Sequence, residues 1–126
     1  MFAIELLPPN RRGGDGERLG QITVGRFREI FGCYPARGQS IRSMAASWRS
    51  ELRRLIRGAC LGVALVKGAS AWIVYRAGKR CYIQERYFLP GVSREIGLRQ
   101  THDDDGNRIS EWSTTVSDVE GFLTRT

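Results

Sequence analysis

The sequence predicts an α+β fold with one antiparallel sheet of about five to seven strands. One long amphipathic helix at about residues 40–57 and a short C-terminal helix are expected to pack on that sheet. Short apolar runs separated by turn residues recur along the chain, whereas only one segment keeps a sustained helical spacing of apolar residues. A length of 126 residues, 41% of them hydrophobic and 26% charged, suits a single domain spanning residues 1–126.

The chain opens with two predicted strands that form an antiparallel hairpin. Phe2–Leu7 is apolar except for Glu5 and is stopped by Pro8, and Leu19–Val24 alternates apolar and polar residues. Asn10–Glu17 holds three glycines and no large apolar residue, so it is expected to be the connecting loop. The next apolar residues, at 27, 30 and 31, have helical spacing and predict one short helical turn ending at Gly32, followed by a loop over 33–39.

The clearest helix covers Ser40–Arg57. Ser40 is a suitable N-cap, and Gly58 is suited to the left-handed position just beyond the helix. Trp48 is expected to be part of the core. The residues that form one apolar stripe at helical spacing are Ile41, Met44, Ala45, Trp48, Leu52, Leu55 and Ile56.

Strands dominate the second half of the chain. The predicted strands are Leu61–Val66, Ala71–Arg76, Cys81–Leu89, a weak edge strand Ile96–Arg99, and Ile109–Val116. Leu61–Val66 is almost entirely apolar, which favours a central strand buried on both faces or a strand at a site of tight packing. Ala77–Arg80 reads as a hairpin loop, Pro90-Gly91 as the end of a strand, and Asp103–Asn107 as a turn.

The C-terminal helix is predicted over Asp118–Leu123. Ser117 and Glu120 have the spacing of a capping box, in which each residue accepts a bond at the helix N-terminus.

The net charge of +7 comes almost entirely from arginine, since Lys67 and Lys79 are the only lysines. An arginine-rich surface can bind phosphate, but the same pattern also occurs on a solvated helix face. The chain shows no RRM-like aromatic motif, zinc finger or helix-turn-helix pair. No secretory signal is expected, because Met1–Glu5 lacks a basic region followed by a long apolar one, and the longest uncharged run, Gly58–Val66, is too short to span a bilayer.

The sequence contains no recognisable catalytic motif and no recognisable metal-binding motif. His102 is the only histidine and is expected in an exposed turn, while Glu85 and Glu111 have no evident partner. Asp103, Asp104 and Asp105 resemble a fragment of a calcium loop, but the twelve-residue ligand pattern is missing. The cysteines, Cys33, Cys60 and Cys81, lack metal-like spacing and are expected as reduced, partly buried thiols, with one disulfide as the alternative.

The ordered segments resemble a family of immunity proteins of bacterial contact-dependent growth inhibition systems. The resemblance extends over nearly the whole chain, and residues 106–123 are its most specific part. The segments that carry it are Ile4–Pro9, Arg18–Phe31, Trp48–Leu55, Tyr75–Gly78, Tyr82–Gln84, Asp104–Ser113 and Asp118–Leu123.

The resemblance implies a single immunity-protein-like domain that stays in the cytoplasm of the producing cell. There it would bind and block the cognate C-terminal toxin domain delivered by sibling cells, which is often a nuclease. It implies no enzymatic activity and no cofactor, while the residues themselves predict no metal site and no membrane association. The alternative is a basic RNA- or DNA-binding module that uses an arginine-rich helix face.

Two surfaces are candidates for toxin binding. The first is the turn Asp103, Asp104 and Asp105, whose carboxylates would fit a basic cleft. The second is the arginine face of the long helix, Arg42, Arg49, Arg53 and Arg57, which would meet an acidic surface.

Overall fold

The computed structural model describes residues 1–8, 18–89 and 95–125, and it places seven strands and two helices there. The predicted loop Asn10–Glu17 and the predicted strand end Pro90-Gly91 both fall wholly outside these residues. The elements are β1 (Phe2–Leu6), β2 (Arg18–Val24), β3 (Phe27–Cys33), α1 (Ile41–Ile56), β4 (Gly62–Val66), β5 (Ser70–Ala77), β6 (Arg80–Tyr87), β7 (Trp112–Thr115) and α2 (Val116–Thr124).

The seven strands form two antiparallel sheets. The first has the order β1-β2-β3 and the second the order β4-β5-β6-β7, with every described neighbour antiparallel. The predicted α+β class, with one longer helix and one short C-terminal helix, is confirmed, while the seven described strands divide into two sheets where the sequence predicted one.

The main core lies between the two sheets and the helices. Phe31 of β3 contacts Trp72 of β5 and Trp48 of α1 edge-on, with ring centroids 5.9 and 5.8 Å apart. Phe27 of β3 stacks on Trp112 of β7 at 3.9 Å. These aromatic contacts join the first sheet to the inner face of the second.

Helix α1 has the predicted ends and the predicted buried face. The Ser40 hydroxyl accepts a bond from the Ser43 N–H, and Gly58 follows with φ +79°. Trp48 is 1% exposed, and its indole N–H donates to the Val66 carbonyl at 2.7 Å. The tryptophan therefore fixes α1 to β4 by packing and by a hydrogen bond.

The predicted helical turn over 27–31 is wrong, because these residues belong to β3. Gly25, at φ +61°, forms a tight turn that pairs Val24 with Phe27 and sends the chain back along β2. Phe31 and Cys33 then face the core while Ile30 faces solvent, which is strand alternation. Positions 27, 30 and 31 match helical spacing, but only 27 and 31 share one face of a strand, and the glycine turn at Gly25 decides in favour of the strand.

The prediction of a central position for Leu61–Val66 is also wrong, since β4 is the edge of the four described strands. Its apolar composition has another cause. Val63 and Leu65 face α1 and the main core, whereas Ala64 and Val66 face a smaller cluster on the other side of the sheet. Both faces are covered although only one edge is paired.

The segment Ile96–Arg99 is not a strand. Gly97 has φ +68°, and the Ile96 carbonyl accepts bonds from the Arg86 guanidinium at 3.1 Å and the Tyr75 hydroxyl at 3.4 Å. This segment is therefore held by hydrogen bonds from side chains of the sheet and not by backbone pairing with a neighbouring strand.

The last strand is shorter than predicted, and the C-terminal helix begins two residues earlier in the sequence than predicted. The last strand is only Trp112–Thr115, and Thr115, not Ser117, is the N-cap of α2, accepting from the Asp118 N–H at 3.0 Å. Asp118 rather than Glu120 occupies the third helical position. Its carboxylate accepts from the Thr114 hydroxyl at 2.6 Å and from the chain's amino terminus at 3.2 Å, which fixes the helix start two residues upstream.

Candidate partner-binding surfaces

Asp103 is the residue that builds the acidic turn. Its carboxylate accepts from the N–H groups of Asp105 at 3.0 Å and Asn107 at 2.9 Å, as expected of an Asx turn. Gly106, at φ +83°, closes the turn, and a bridge between residues 102 and 108 forms the stem. Within the described chain, Asp104 and Asp105 are exposed and their carboxylates have no partner, so these two present the turn's negative charge.

A polar cluster holds the base of this turn against the second sheet. Arg99 donates two bonds to Glu111, at 2.9 and 2.5 Å, and its guanidinium lies 3.7 Å above the Tyr82 ring. Gln84 donates to Glu111 at 2.7 Å and to the Gln100 carbonyl at 2.8 Å. The bond from Arg99 holds the pKa of Glu111 below its usual range, aided by Gln84.

The arginine face of α1 divides into an exposed part and a packed part. Arg42, Arg53 and Arg57 are exposed. Arg49 is half-buried: its guanidinium lies 4.3 Å from the Phe122 ring centroid and donates to the Phe122 carbonyl at 3.4 Å. Helical spacing predicts that the four arginines share one side of α1. The packing of Arg49 against α2 could not be predicted in this way, because it depends on where α2 lies in the fold.

A small concavity of about 250 Å³ lies where α1, α2 and β1 meet. Arg49 and Arg125 both line it, together with Phe122 and Glu5. Arg125 donates to the Phe2 carbonyl at 3.2 Å, so both arginines are bonded to backbone and Glu5 supplies a negative charge nearby. No ion pair among the described residues joins the aspartates of the turn to the arginines of α1.

Glu85 has a partner that the sequence did not reveal. It is paired with Lys67, which is buried and lies 4.4 Å above the Trp72 ring and 5.3 Å from the Phe31 ring. The ammonium is therefore held by one carboxylate and two aromatic faces. The signal in the sequence is a lysine directly after an apolar strand, which is too common to indicate a buried pair.

The cysteines are free thiols, as expected. Burial raises the pKa of Cys33 to about 11 although Lys67 and Arg18 act to lower it, and burial raises the pKa of Cys81 to about 11 as well. Both thiols therefore stay protonated at neutral pH and are poor nucleophiles. His102 is exposed, with its Nδ1 3.0 Å from the Thr101 hydroxyl.

No cluster of three or more metal-ligating side chains occurs within residues 1–8, 18–89 and 95–125. In the same part of the chain, no helix is both long and apolar enough to cross a membrane.

The fold and its surfaces define a small α+β protein whose exposed features suit contact with another macromolecule. The chain belongs to the CdiI N-terminal domain family, whose model matches residues 39–122. It is similar to a chain of the CdiA-CT/CdiI toxin and immunity complex from Enterobacter cloacae, with 26% identity and a TM-score of 0.79 over 98% of this chain and 96% of that chain. No curated protein matches the chain. The resemblance to immunity proteins of contact-dependent growth inhibition is confirmed.

Proposed function

We propose that this chain, acting as one domain over residues 1–126, binds and neutralises a cognate CdiA C-terminal toxin domain in the cytoplasm of the producing cell. The match to a component of a toxin and immunity complex carries this proposal, because it extends over nearly the full length of both chains. Neutralisation is by binding and requires no catalysis or cofactor from the immunity protein.

The polar side chains of the described residues support a binding role over a catalytic one. Glu85 is engaged by Lys67, Glu111 by Arg99, and Asp118 by the amino terminus. The thiols of Cys33 and Cys81 are protonated. These groups are used to hold the fold together.

Several arginines likewise have structural roles, which weakens the case for a nucleic-acid-binding module. Arg49 packs on α2, Arg54 pairs with Glu51 at 2.8 Å, and Arg76 donates to the Ile56 carbonyl at the C-terminus of α1 at 2.7 Å. Part of the basic excess therefore stabilises this protein and is not available to bind phosphate.

Both charged surfaces are proposed as toxin contacts. The carboxylates of Asp104 and Asp105 project from a hydrogen-bonded turn and suit the basic cleft of a nuclease toxin. The exposed arginines Arg42, Arg53 and Arg57 suit an acidic part of the toxin, with Arg49 supporting that face from its position against α2.

Charge reversal separates the two surfaces. D104K combined with D105K, and R42E combined with R53E, are measured for affinity to the toxin domain encoded immediately upstream of this chain. A loss of toxin affinity in one double variant assigns the toxin contact to that surface. Unchanged affinity in both double variants rejects both surfaces as toxin contacts. Asp103 is left intact because its carboxylate builds the turn.

The proposed function is tested by co-expression of that toxin domain with and without this chain. Growth is expected only when the chain is present, and a tagged chain is expected to co-purify with the toxin in a one-to-one complex. Continued growth arrest with both proteins present and folded would reject the proposal. Recovery of nucleic acid in place of the toxin, released by salt, would favour the basic module.

A further inference from the structure

The concavity where α1, α2 and β1 meet is lined by two guanidinium groups and an aromatic ring. Arg49 belongs to α1, and Arg125 follows directly after α2. Phe122 of α2 is 2% exposed, and its ring centroid lies 4.3 Å from the Arg49 guanidinium. These three residues and Glu5, which also lines the concavity, are called the arginine cleft below.

Both guanidinium groups keep most of their hydrogen-bond donors. Arg49 donates through Nη1 to the Phe122 carbonyl at 3.4 Å, and Arg125 donates through Nη2 to the Phe2 carbonyl at 3.2 Å. A guanidinium has five N–H groups. No other acceptor among the described residues bonds either group. Each arginine is therefore fixed by one backbone contact and still has donors for a ligand.

The arginine cleft carries a net positive charge. Glu5 is the one carboxylate among the described residues that line it, and Glu5 forms no ion pair with Arg49 or Arg125. Met1 also lines the cleft, but its ammonium is already paired with Asp118 at 3.2 Å. Two guanidinium charges against one carboxylate leave one positive charge, so the cleft favours an anion.

The volume of the cleft limits which anion can enter. At about 250 Å³ it is smaller than the pockets of roughly 300–1,000 Å³ that hold drug-sized ligands. Arg49 is half-buried beside α2, so the cleft suits one protruding side chain better than a strand of nucleic-acid phosphates. An aspartate or glutamate fits both walls, because its planar carboxylate matches the guanidinium forks and its methylene groups can contact the Phe122 ring.

The position of the cleft indicates which protein supplies that side chain. Arg53 is exposed one helical turn from Arg49, and Arg42 is exposed two turns away in the other direction. Residues four and seven positions apart lie on the same side of a helix. The cleft is therefore continuous with the arginine face of α1, which is proposed above as a toxin contact.

We infer that the arginine cleft is a binding site for a side-chain carboxylate of the toxin domain, held jointly by Arg49 and Arg125. This inference rests on the proposed function. A carboxylate held by two guanidinium groups in a concave site gives orientation as well as affinity, because each fork bonds in one plane.

Arg49→Gln and Arg125→Gln each remove one guanidinium and are each expected to lower toxin affinity about tenfold. Both single variants weaken the same contact, so the double variant R49Q/R125Q is expected to lose only about thirtyfold and not the hundredfold product. Affinity for the toxin domain encoded immediately upstream of this chain is measured by calorimetry, and folding is measured by circular dichroism.

Three further variants separate carboxylate binding from a purely structural role. Glu5→Gln removes the competing carboxylate and is expected to raise toxin affinity about threefold. Arg49→Lys keeps the charge beside Phe122 but loses the fork, so it is expected to fold normally and to lose about threefold. Arg37→Gln removes one positive charge from an exposed residue that does not line the cleft, and is expected to change affinity less than about twofold.

The toxin carboxylate is located by replacing the acidic residues of the toxin one at a time with Asn or Gln. One replacement is expected to lower affinity about tenfold for the unmodified chain and less than about twofold for R49Q/R125Q. A toxin carboxylate that loses its effect only in this double variant supports the inference directly.

Inorganic phosphate distinguishes a toxin carboxylate from a free anion. Titration of phosphate into the unmodified chain without toxin is expected to give no binding tighter than about 1 mM. Tighter phosphate binding that is lost in R49Q/R125Q, while toxin affinity stays unchanged in that variant, would overturn the inference in favour of a free-anion site.

The remaining outcomes separate this inference from the proposed function. Tight toxin binding by the unmodified chain and by every arginine variant would overturn the inference and leave the proposed function standing. Failure of the unmodified chain to bind the toxin would overturn both.

Discussion

The two faces of the second sheet are both covered, but by different kinds of contact. On the inner face, residues such as Val74 and Ile83 pack against the first sheet and α1 in one large apolar core. On the outer face, Ile73 and Tyr75 form a small cluster beneath the segment 95–100. That segment is held chiefly by polar side chains, with Arg86 and Gln84 donating to its carbonyls.

This difference in contacts predicts that the inner face of the second sheet stays closed while the covering of its outer face can open locally. Apolar packing between two sheets is lost only when the domain opens, whereas a covering held by a few half-buried hydrogen bonds can open locally. The aspartate turn is continuous with this outer covering. Its carboxylates are therefore positioned by the Arg99–Glu111 cluster, in the part of the fold that has the smaller core.

The largest expected effect comes from removing one buried isoleucine from each face. Ile83→Ala on the inner face is expected to cost about 4 kcal/mol of unfolding free energy, because the surrounding sheets and helix cannot close the cavity. Ile73→Ala on the outer face is expected to cost about 2 kcal/mol, because the covering segment can settle onto the smaller side chain. Urea denaturation measures both, and equal losses would remove the distinction between the faces.

Breaking the pair formed by Lys67 and Glu85 comes next. Glu85→Ala leaves a buried ammonium without its carboxylate and is expected to cost about 3 kcal/mol. Lys67→Met keeps the apolar stem and removes the charge, so its cost is expected to stay within about 1 kcal/mol. Urea denaturation of the two variants provides the comparison. A larger loss of unfolding free energy for Lys67→Met than for Glu85→Ala would contradict this expectation. It would show that the ammonium gains more from its contacts with the aromatic rings than its burial costs.

The smallest effect concerns the pH dependence of the outer covering. The pKa of Glu111 is lowered in the folded protein, so its stabilising contribution is present above the unfolded pKa of about 4.3 and is lost as the pH falls through the lower folded value. Glu111→Gln is expected to remove about 1 kcal/mol at neutral pH and to flatten the stability curve below about pH 4.5. Thermal unfolding measured across this pH range checks the prediction. It would be contradicted if the stability of the variant fell with decreasing pH as steeply as that of the unmodified chain.

Much of the fold could be predicted because periodicity and caps are local signals. The apolar stripe of α1, the Ser40 cap and the strand ends at Gly78 are all determined by neighbouring residues. Two of the errors arose where a contact between residues distant in sequence determines the local structure. The start of α2 depends on the amino terminus reaching Asp118, and the covering at Ile96 depends on Arg86 and Tyr75.

The candidate surfaces were predicted less completely. Asp104 and Asp105 are exposed at a turn as expected, because a run of aspartates followed by glycine has few other conformations. The packing of Arg49 against Phe122 of α2 depends on tertiary structure. Periodicity along one segment carries no information about which other segment it meets.

The central claim is that this chain is a protein that binds a toxin, and calorimetric titration of the purified upstream toxin domain tests it most directly. The account predicts a one-to-one complex with a dissociation constant well below about 1 μM, formed equally well after nuclease treatment of both proteins. Absence of binding to the toxin, together with salt-sensitive binding to generic RNA or DNA, would contradict it.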